Sequence, residues 1–98
     1  MAKAYITEYA EPMQFEAESL AVGKEPGIAY QQVSFTTSTQ SSAFNAKTKF
    51  IRVHVDAICS FKISSNPTAV TTESRMAAST TEYFAVNPGD IIAFVTNT

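Results

Sequence analysis

The stretch Ile51-Arg52-Val53-His54-Val55-Asp56-Ala57-Ile58-Cys59-Ser60-Phe61-Lys62-Ile63 decides the fold. Its odd-numbered residues are all apolar, while the even ones include Arg52, His54, Asp56, Ser60 and Lys62. A period of two sustained over that length is extended chain, with one face in a core and the other toward water or a partner. Ile58 interrupts the polar face just after Asp56-Ala57, where a tight bend or a partner contact would account for it.

Working outward, further β segments rich in Val, Ile, Phe, Tyr and Thr fall at about Ala4–Tyr9, Gly27–Phe35, Thr80–Val86 and Ile91–Thr96, and the long run itself divides into Phe50–Asp56 and Ala57–Ile63. Asn87-Pro88-Gly89-Asp90 has Pro and Gly where a type II turn needs them, which predicts a hairpin from the last two strands. Ser64-Ser65-Asn66-Pro67 ends the alternating run. Glu11–Val22 is the one stretch with helix-compatible ends, Pro12 and Gly23, but its apolar residues make no continuous helical stripe, so an extended excursion is preferred. Ser64–Thr81, long and rich in Ser, Thr and Ala, has the character of a contact arm carrying Val70, Arg75 and Met76. The fold class expected is all-β: a single antiparallel β-sandwich or jelly-roll-like domain over residues 27–98, preceded by an acidic segment, residues 1–26, with the character of an arm.

Composition narrows the function. A chain of 98 residues supports one domain, and 45% hydrophobic residues exclude disorder. Charged residues are only 16%, against roughly 25% in an average soluble domain, as suits a surface that is partly covered. A net charge of −2 argues against nucleic-acid binding, which calls for a basic excess. No apolar run approaches the length of about 20 residues needed to cross a bilayer, and the start Met-Ala-Lys-Ala-Tyr-Ile-Thr has no secretory h-region, so synthesis in the cytoplasm without export is expected. Cys59 is the single cysteine, on the inward parity of the long strand, and reads as a small buried hydrophobe.

The residues offer little chemistry. His54 is the only histidine, and Arg52 and Asp56 share its strand face at spacings of about 6.5–7 Å. That suits a charged or interface patch better than a proton relay, so no enzymatic activity and no catalytic residue is assigned. His54 and Cys59 have opposite parity and point to opposite faces, so no metal or other cofactor is expected, and there is no glycine-rich phosphate loop. Acidic residues gather early (Glu8, Glu11, Glu16, Glu18, Glu25) and basic ones in the middle (Lys47, Lys49, Arg52, Lys62), a split that either pairs one copy with the next or is simply solvated surface. Tyr5, Tyr9, Tyr30, Tyr83, Phe84 and Phe94 are spread over several strands, and most are assigned to the core, with a sugar-binding platform as the alternative.

Ala43-Phe44-Asn45-Ala46-Lys47-Thr48-Lys49-Phe50-Ile51-Arg52-Val53-His54-Val55-Asp56-Ala57-Ile58-Cys59-Ser60, with Asn66-Pro67-Thr68-Ala69, Arg75-Met76-Ala77-Ala78 and Glu82-Tyr83-Phe84-Ala85-Val86-Asn87-Pro88-Gly89, resembles small structural proteins of the head region of tailed bacteriophages and prophages. The likeness spans roughly residues 27 to 98 and is weaker over the first 26. It implies a virion-associated β protein, a capsid decoration or head-surface component, whose partners are itself and the major capsid protein. A homo-oligomer is expected, and a trimer would suit three-fold lattice points; no nucleic acid, membrane or small-molecule substrate is implied. Arg52, His54 and Asp56, with Arg75 and Met76, are the candidate interface residues. The competing reading is a receptor- or glycan-binding module of the virion, which requires an exposed aromatic.

Overall fold

The chain enters its first sheet at once. The structure, a computed structural model, describes residues 2–10, 12–15, 18–23 and 27–97, the strands 12–15 and 18–23 by their backbone alone. The described residues form ten β-strands: β1 (Ala2–Tyr9), β2 (Pro12–Phe15), β3 (Glu18–Gly23), β4 (Ala29–Phe35), β5 (Thr39–Gln40), β6 (Phe50–Val55), β7 (Cys59–Ser64), β8 (Arg75–Met76), β9 (Thr80–Ala85) and β10 (Ile91–Thr96). Two four-stranded antiparallel sheets, ordered β4-β1-β6-β9 and β5-β10-β7-β8, pack as a β-sandwich, while β2 and β3 form a separate hairpin between β1 and β4. Among the described residues no helix is long and apolar enough to cross a membrane.

The alternating run supplies a strand to each sheet. Ile51, Val53 and Val55 of β6 are fully buried, the chain bends at Asp56-Ala57, and it re-enters the opposite sheet as β7 with Cys59 fully buried. Inward parity therefore survives the corner, and half-buried Ile58 belongs to the bend. Two reciprocal bonds hold that corner: the Asp56 amide donates to the Lys3 carbonyl (3.1 Å), and the Lys3 amide donates to Asp56 Oδ1 (2.7 Å). The Asn97 amide donates to the Ile58 carbonyl (3.1 Å), which brings the end of β10 to the same corner as the start of β1.

The pairing nests like a long hairpin rolled up on itself: β7 with β8, β6 with β9, β5 with β10. The next outward strand, β4, pairs with β1. Rolled this way the sandwich has the strand arrangement of a jelly roll in which β1 occupies the place where a final strand after β10 would lie. Two expectations change accordingly, and a third holds. β1 is an inner strand of the first sheet, so the sandwich core begins at Ala2 and residues 1–26 are not wholly an arm. The Asn87–Asp90 turn forms, with the Asp90 amide donating to the Asn87 carbonyl (3.1 Å) and Gly89 at a φ of 81°, yet β9 and β10 belong to different sheets. Turn chemistry reverses the chain locally and does not choose which sheet receives it. Over Glu11–Val22 the preferred extended reading agrees with the β2–β3 backbone.

Ala4, Ile6, Val33, Phe35, Ile51, Val53 and Val55 of the first sheet face Cys59, Met76, Ile92 and Phe94 of the second. Phe35 stacks with Phe94 (centroids 5.3 Å apart) and Phe61 meets Phe84 (4.8 Å), two aromatic pairs joining the layers. Burial pushes the Cys59 thiol up to about 11; the Met76 backbone hydrogen bond opposes this, and the Glu82 charge adds to it. The long connection after β7 does not stand off as an arm. It lies over the outer face of the second sheet, where Gln40 Nε2 donates to the Pro67 carbonyl (2.8 Å), the Ala69 amide to Ser38 Oγ (2.9 Å) and Asn97 Nδ2 to the Thr71 carbonyl (3.1 Å). Ser60 and Ala93, on outward positions of β7 and β10, are consequently fully buried.

One polar group lies deep at the end of β1. Glu8 is 2% exposed, and its carboxylate accepts from the Asn45 amide (2.7 Å), Thr48 Oγ1 (2.7 Å) and Gln31 Nε2 (3.1 Å). Gln31 in turn exchanges bonds with the Ser42 backbone, accepting at 2.9 Å and donating at 3.2 Å. The link from β5 to β6 is thereby fastened to β1 and β4. Removing the acceptor strands donors that have left water, at roughly 1–3 kcal/mol each. Glu8→Ala is therefore expected to lower unfolding stability by about 3–5 kcal/mol, and Glu8→Gln, which keeps one carbonyl acceptor, by about half as much. Urea denaturation with unchanged slope would measure both.

Candidate interaction face

The two sheets differ in what covers their outer faces. The second is overlaid by the chain's own loop, as described, whereas much of the first is open. Alternation in β1, β4, β6 and β9 sends Ala4, Ile6, Val33 and Val53 inward, so the intervening residues face out. Registers align them in rows across the sheet: Gln32, Tyr5, His54 and Thr81 in one, Tyr30, Thr7, Arg52 and Tyr83 in the next.

Three tyrosines dominate this face, with Tyr30 65%, Tyr5 38% and Tyr83 37% exposed. The assignment of most aromatics to the core is corrected for these three, while Phe94 and Tyr9 are buried. Tyr9 stacks on Phe50 (5.1 Å), which meets Tyr83 (6.2 Å), and the backbone of β3 approaches β6. Between Tyr5 and Tyr30, a concavity of about 460 Å³ is lined also by Thr7, Gln31 and Gln32.

Tyr30 is exposed yet held. Its hydroxyl accepts from the Gly27 amide (3.1 Å), and this close approach requires glycine: a Cβ at position 27 would fall 2.5 Å from Thr7 Cγ2, 3.1 Å from the Glu8 carbonyl oxygen and 3.4 Å from the Tyr30 ring. Ordering an exposed ring in advance reduces the entropy a partner must remove on contact.

The five candidate residues do not form one patch. Arg52 and His54 sit together on β6, half-buried among the tyrosines. His54 Nδ1 lies 2.9 Å from Thr81 Oγ1, and its ring lies 6.3 Å from that of Tyr5. Its hydrogen-bond partner among the described residues is thus a hydroxyl. Asp56 is exposed but lies past the end of β6, where its carboxylate serves the Lys3 amide. Arg75 is exposed on β8, at an edge of the other sheet. Met76 is 1% exposed within the core and is withdrawn as a surface contact, because its parity on β8 turns it toward Cys59. No group of three or more His, Cys, Asp or Glu able to hold a metal occurs among the described residues.

Of the early acidic cluster, Glu8 is buried, and the side chains of Glu11, Glu16, Glu18 and Glu25 lie outside the described residues. The basic group is dispersed: Lys47 and Lys49 are exposed beside β6, and Lys62 pairs with Glu73 (3.8 Å) on the second sheet. Sequence reasoning missed Tyr5, Tyr30 and Tyr83, although the flanking of Tyr5 by inward Ala4 and Ile6 carries the signal for the first of them.

Gly27→Ala is expected to destabilise the fold by about 1–3 kcal/mol through overpacking. Adding Thr7→Ser, which deletes the clashing methyl, should recover part of that loss, and a double-mutant cycle by thermal unfolding would measure it. No protein-family model, no curated protein and no solved structure matches this chain.

Proposed function

We propose that the chain is a non-enzymatic structural protein of a bacteriophage virion, a capsid decoration or head-surface component that associates with copies of itself and with the major capsid protein. The observation that carries this reading is the unequal treatment of the two outer faces. One has its centre covered by the chain's own loop, which buries Ser60 and Ala93; the other leaves Tyr5, Tyr30 and Tyr83 exposed around Arg52 and His54. Tyrosine and arginine are the residue types enriched at protein interfaces, while Lys and Glu are depleted there. The sequence likeness to phage head-region proteins supports the same reading, and its stretches include β6 and the Glu82–Ala85 part of β9, which supply Arg52, His54 and Tyr83.

Size also matters. Four strands about 4.8 Å apart, each about 20 Å long, project only about 400 Å² of face, against about 800 Å² per partner in a standard stable interface. A contact of that size is weak alone and becomes effective when repeated on a lattice. This is the regime of a decoration protein.

A second reading is favoured by the concavity between Tyr5 and Tyr30. Exposed rings beside the Gln32 amide and Thr7 hydroxyl suit stacking and hydrogen bonding to a sugar, so a receptor- or glycan-binding role is the alternative.

Co-sedimentation with empty shells of the major capsid protein separates the two. The structural reading expects the chain to pellet with shells and Arg52→Glu, with unchanged circular dichroism, to bind about tenfold more weakly (about 1.4 kcal/mol). Failure of the wild-type chain to bind shells, together with saturable binding of an oligosaccharide panel that is lost in Tyr30→Ala, would replace it with the glycan reading.

A further inference from the structure

A sheet edge is a row of unpaired backbone donors and acceptors, and folded proteins normally blunt it. This sandwich has four edges. Those of the second sheet, β5 and β8, are two residues long and offer almost no ladder to extend. In the first sheet, β9 carries Glu82 at a position paired with inward-facing Val53. The Glu82 side chain is exposed, so a strand added there would confine a carboxylate on the core side.

The remaining edge, β4, has none of these devices among the described residues. Its seven residues, Ala29-Tyr30-Gln31-Gln32-Val33-Ser34-Phe35, include no charge, no proline and no glycine. Val33 and Phe35 point into the core, and the inward Gln31 amide is occupied by Glu8 and Ser42. The β2–β3 hairpin approaches the sheet at β6, beyond β1 from this edge.

We propose that two copies of this chain join through β4, continuing the first sheet across a two-fold axis at Gln32. This deepens the self-association part of the function proposed above and does not depend on the virion assignment. A two-fold axis perpendicular to a sheet makes the abutting strands antiparallel and the contact self-complementary. Directly opposed residues must share a face, and the register that pairs all seven residues sets Gln32 opposite Gln32 of the second copy. Tyr30 then faces Ser34 and Gln31 faces Val33, each across the axis. Inward residues continue the core layer, and the open tyrosine face doubles in width.

The axis residue gives a sharp test. Opposed Cα atoms in such a pair lie about 4.5–5.5 Å apart, within the span of a disulfide. Two copies of residue 34 would instead be displaced by about 13 Å along the strands. Cys59 is buried and does not compete. Gln32→Cys, Ser34→Cys and Thr81→Cys would each be oxidised in the full chain and run on non-reducing gels, with light scattering of the wild type and of Gln32→Lys at several concentrations. The expected result is a covalent dimer from Gln32→Cys at least tenfold faster than from the other two. Gln32→Lys, which opposes like charges, should lower the associated mass. If the wild type associates but Gln32→Cys crosslinks no faster than Ser34→Cys or Thr81→Cys, the β4 contact is wrong while self-association stands. A wild type that stays monomeric throughout, with no preferential crosslink, overturns both.

Discussion

A carboxylate with no access to water is tolerated only when several donors surround it, and Glu8 is the point on which this sandwich turns. Its three donors come from two segments of the chain: Gln31 on β4, and Asn45 and Thr48 in the link that leads into β6. The neighbouring backbone repeats the pattern, with the Ile28 amide donating to the Glu8 carbonyl (2.8 Å) and the Lys49 amide to the Tyr9 carbonyl (2.9 Å). One end of β1 thus organises both its sheet neighbours and the crossover between the sheets. At the other end, the reciprocal Lys3–Asp56 bonds do the same for the β6–β7 corner. An N-terminal strand clamped at both ends can stand in the middle of a sheet, which is what lets β1 fill the position of the jelly roll's last strand.

Among the described residues, that arrangement leaves one face largely open and one edge, β4, without a device that blunts pairing. The loop after β7 covers the centre of the second sheet's outer side, and the strands β5 and β8 are too short to invite pairing. The first sheet keeps the tyrosine-bearing side and the plain edge of β4. Both proposals here, lattice binding through the face and pairing through the edge, follow from this same asymmetry. A domain of 98 residues has a limited core, so contact between copies would also add to its stability.

Much of the fold is legible in the sequence. The six strands anticipated from alternation and β-rich composition are all present, and the class is a β-sandwich. The two-residue strands β5 and β8 are too short to leave a periodic trace. What alternation hides is the change of sheet at Asp56-Ala57, because inward parity continues through the corner; Ile58 was its only sign. Glycine and proline mark the Asn87–Asp90 turn correctly, but pairing is decided by which partners the rest of the chain has already placed. The face was less legible. Arg52 and His54 followed from parity on a long strand, whereas the exposure of Tyr30 and Tyr83 depends on which face the loop after β7 covers. Glu8 read as one more surface acid because its donors lie more than twenty residues away in sequence.

Hydrogen exchange at the Asn45 amide tests the central role of Glu8 most directly. Asn45 is exposed and outside any strand, so its amide would ordinarily exchange rapidly. Bonded to a buried carboxylate, it should exchange as slowly as the amides of β1 and β6, opening only when the sandwich unfolds. Exchange as fast as that of the exposed turn around it would contradict the account, because the link would then be held by something other than Glu8.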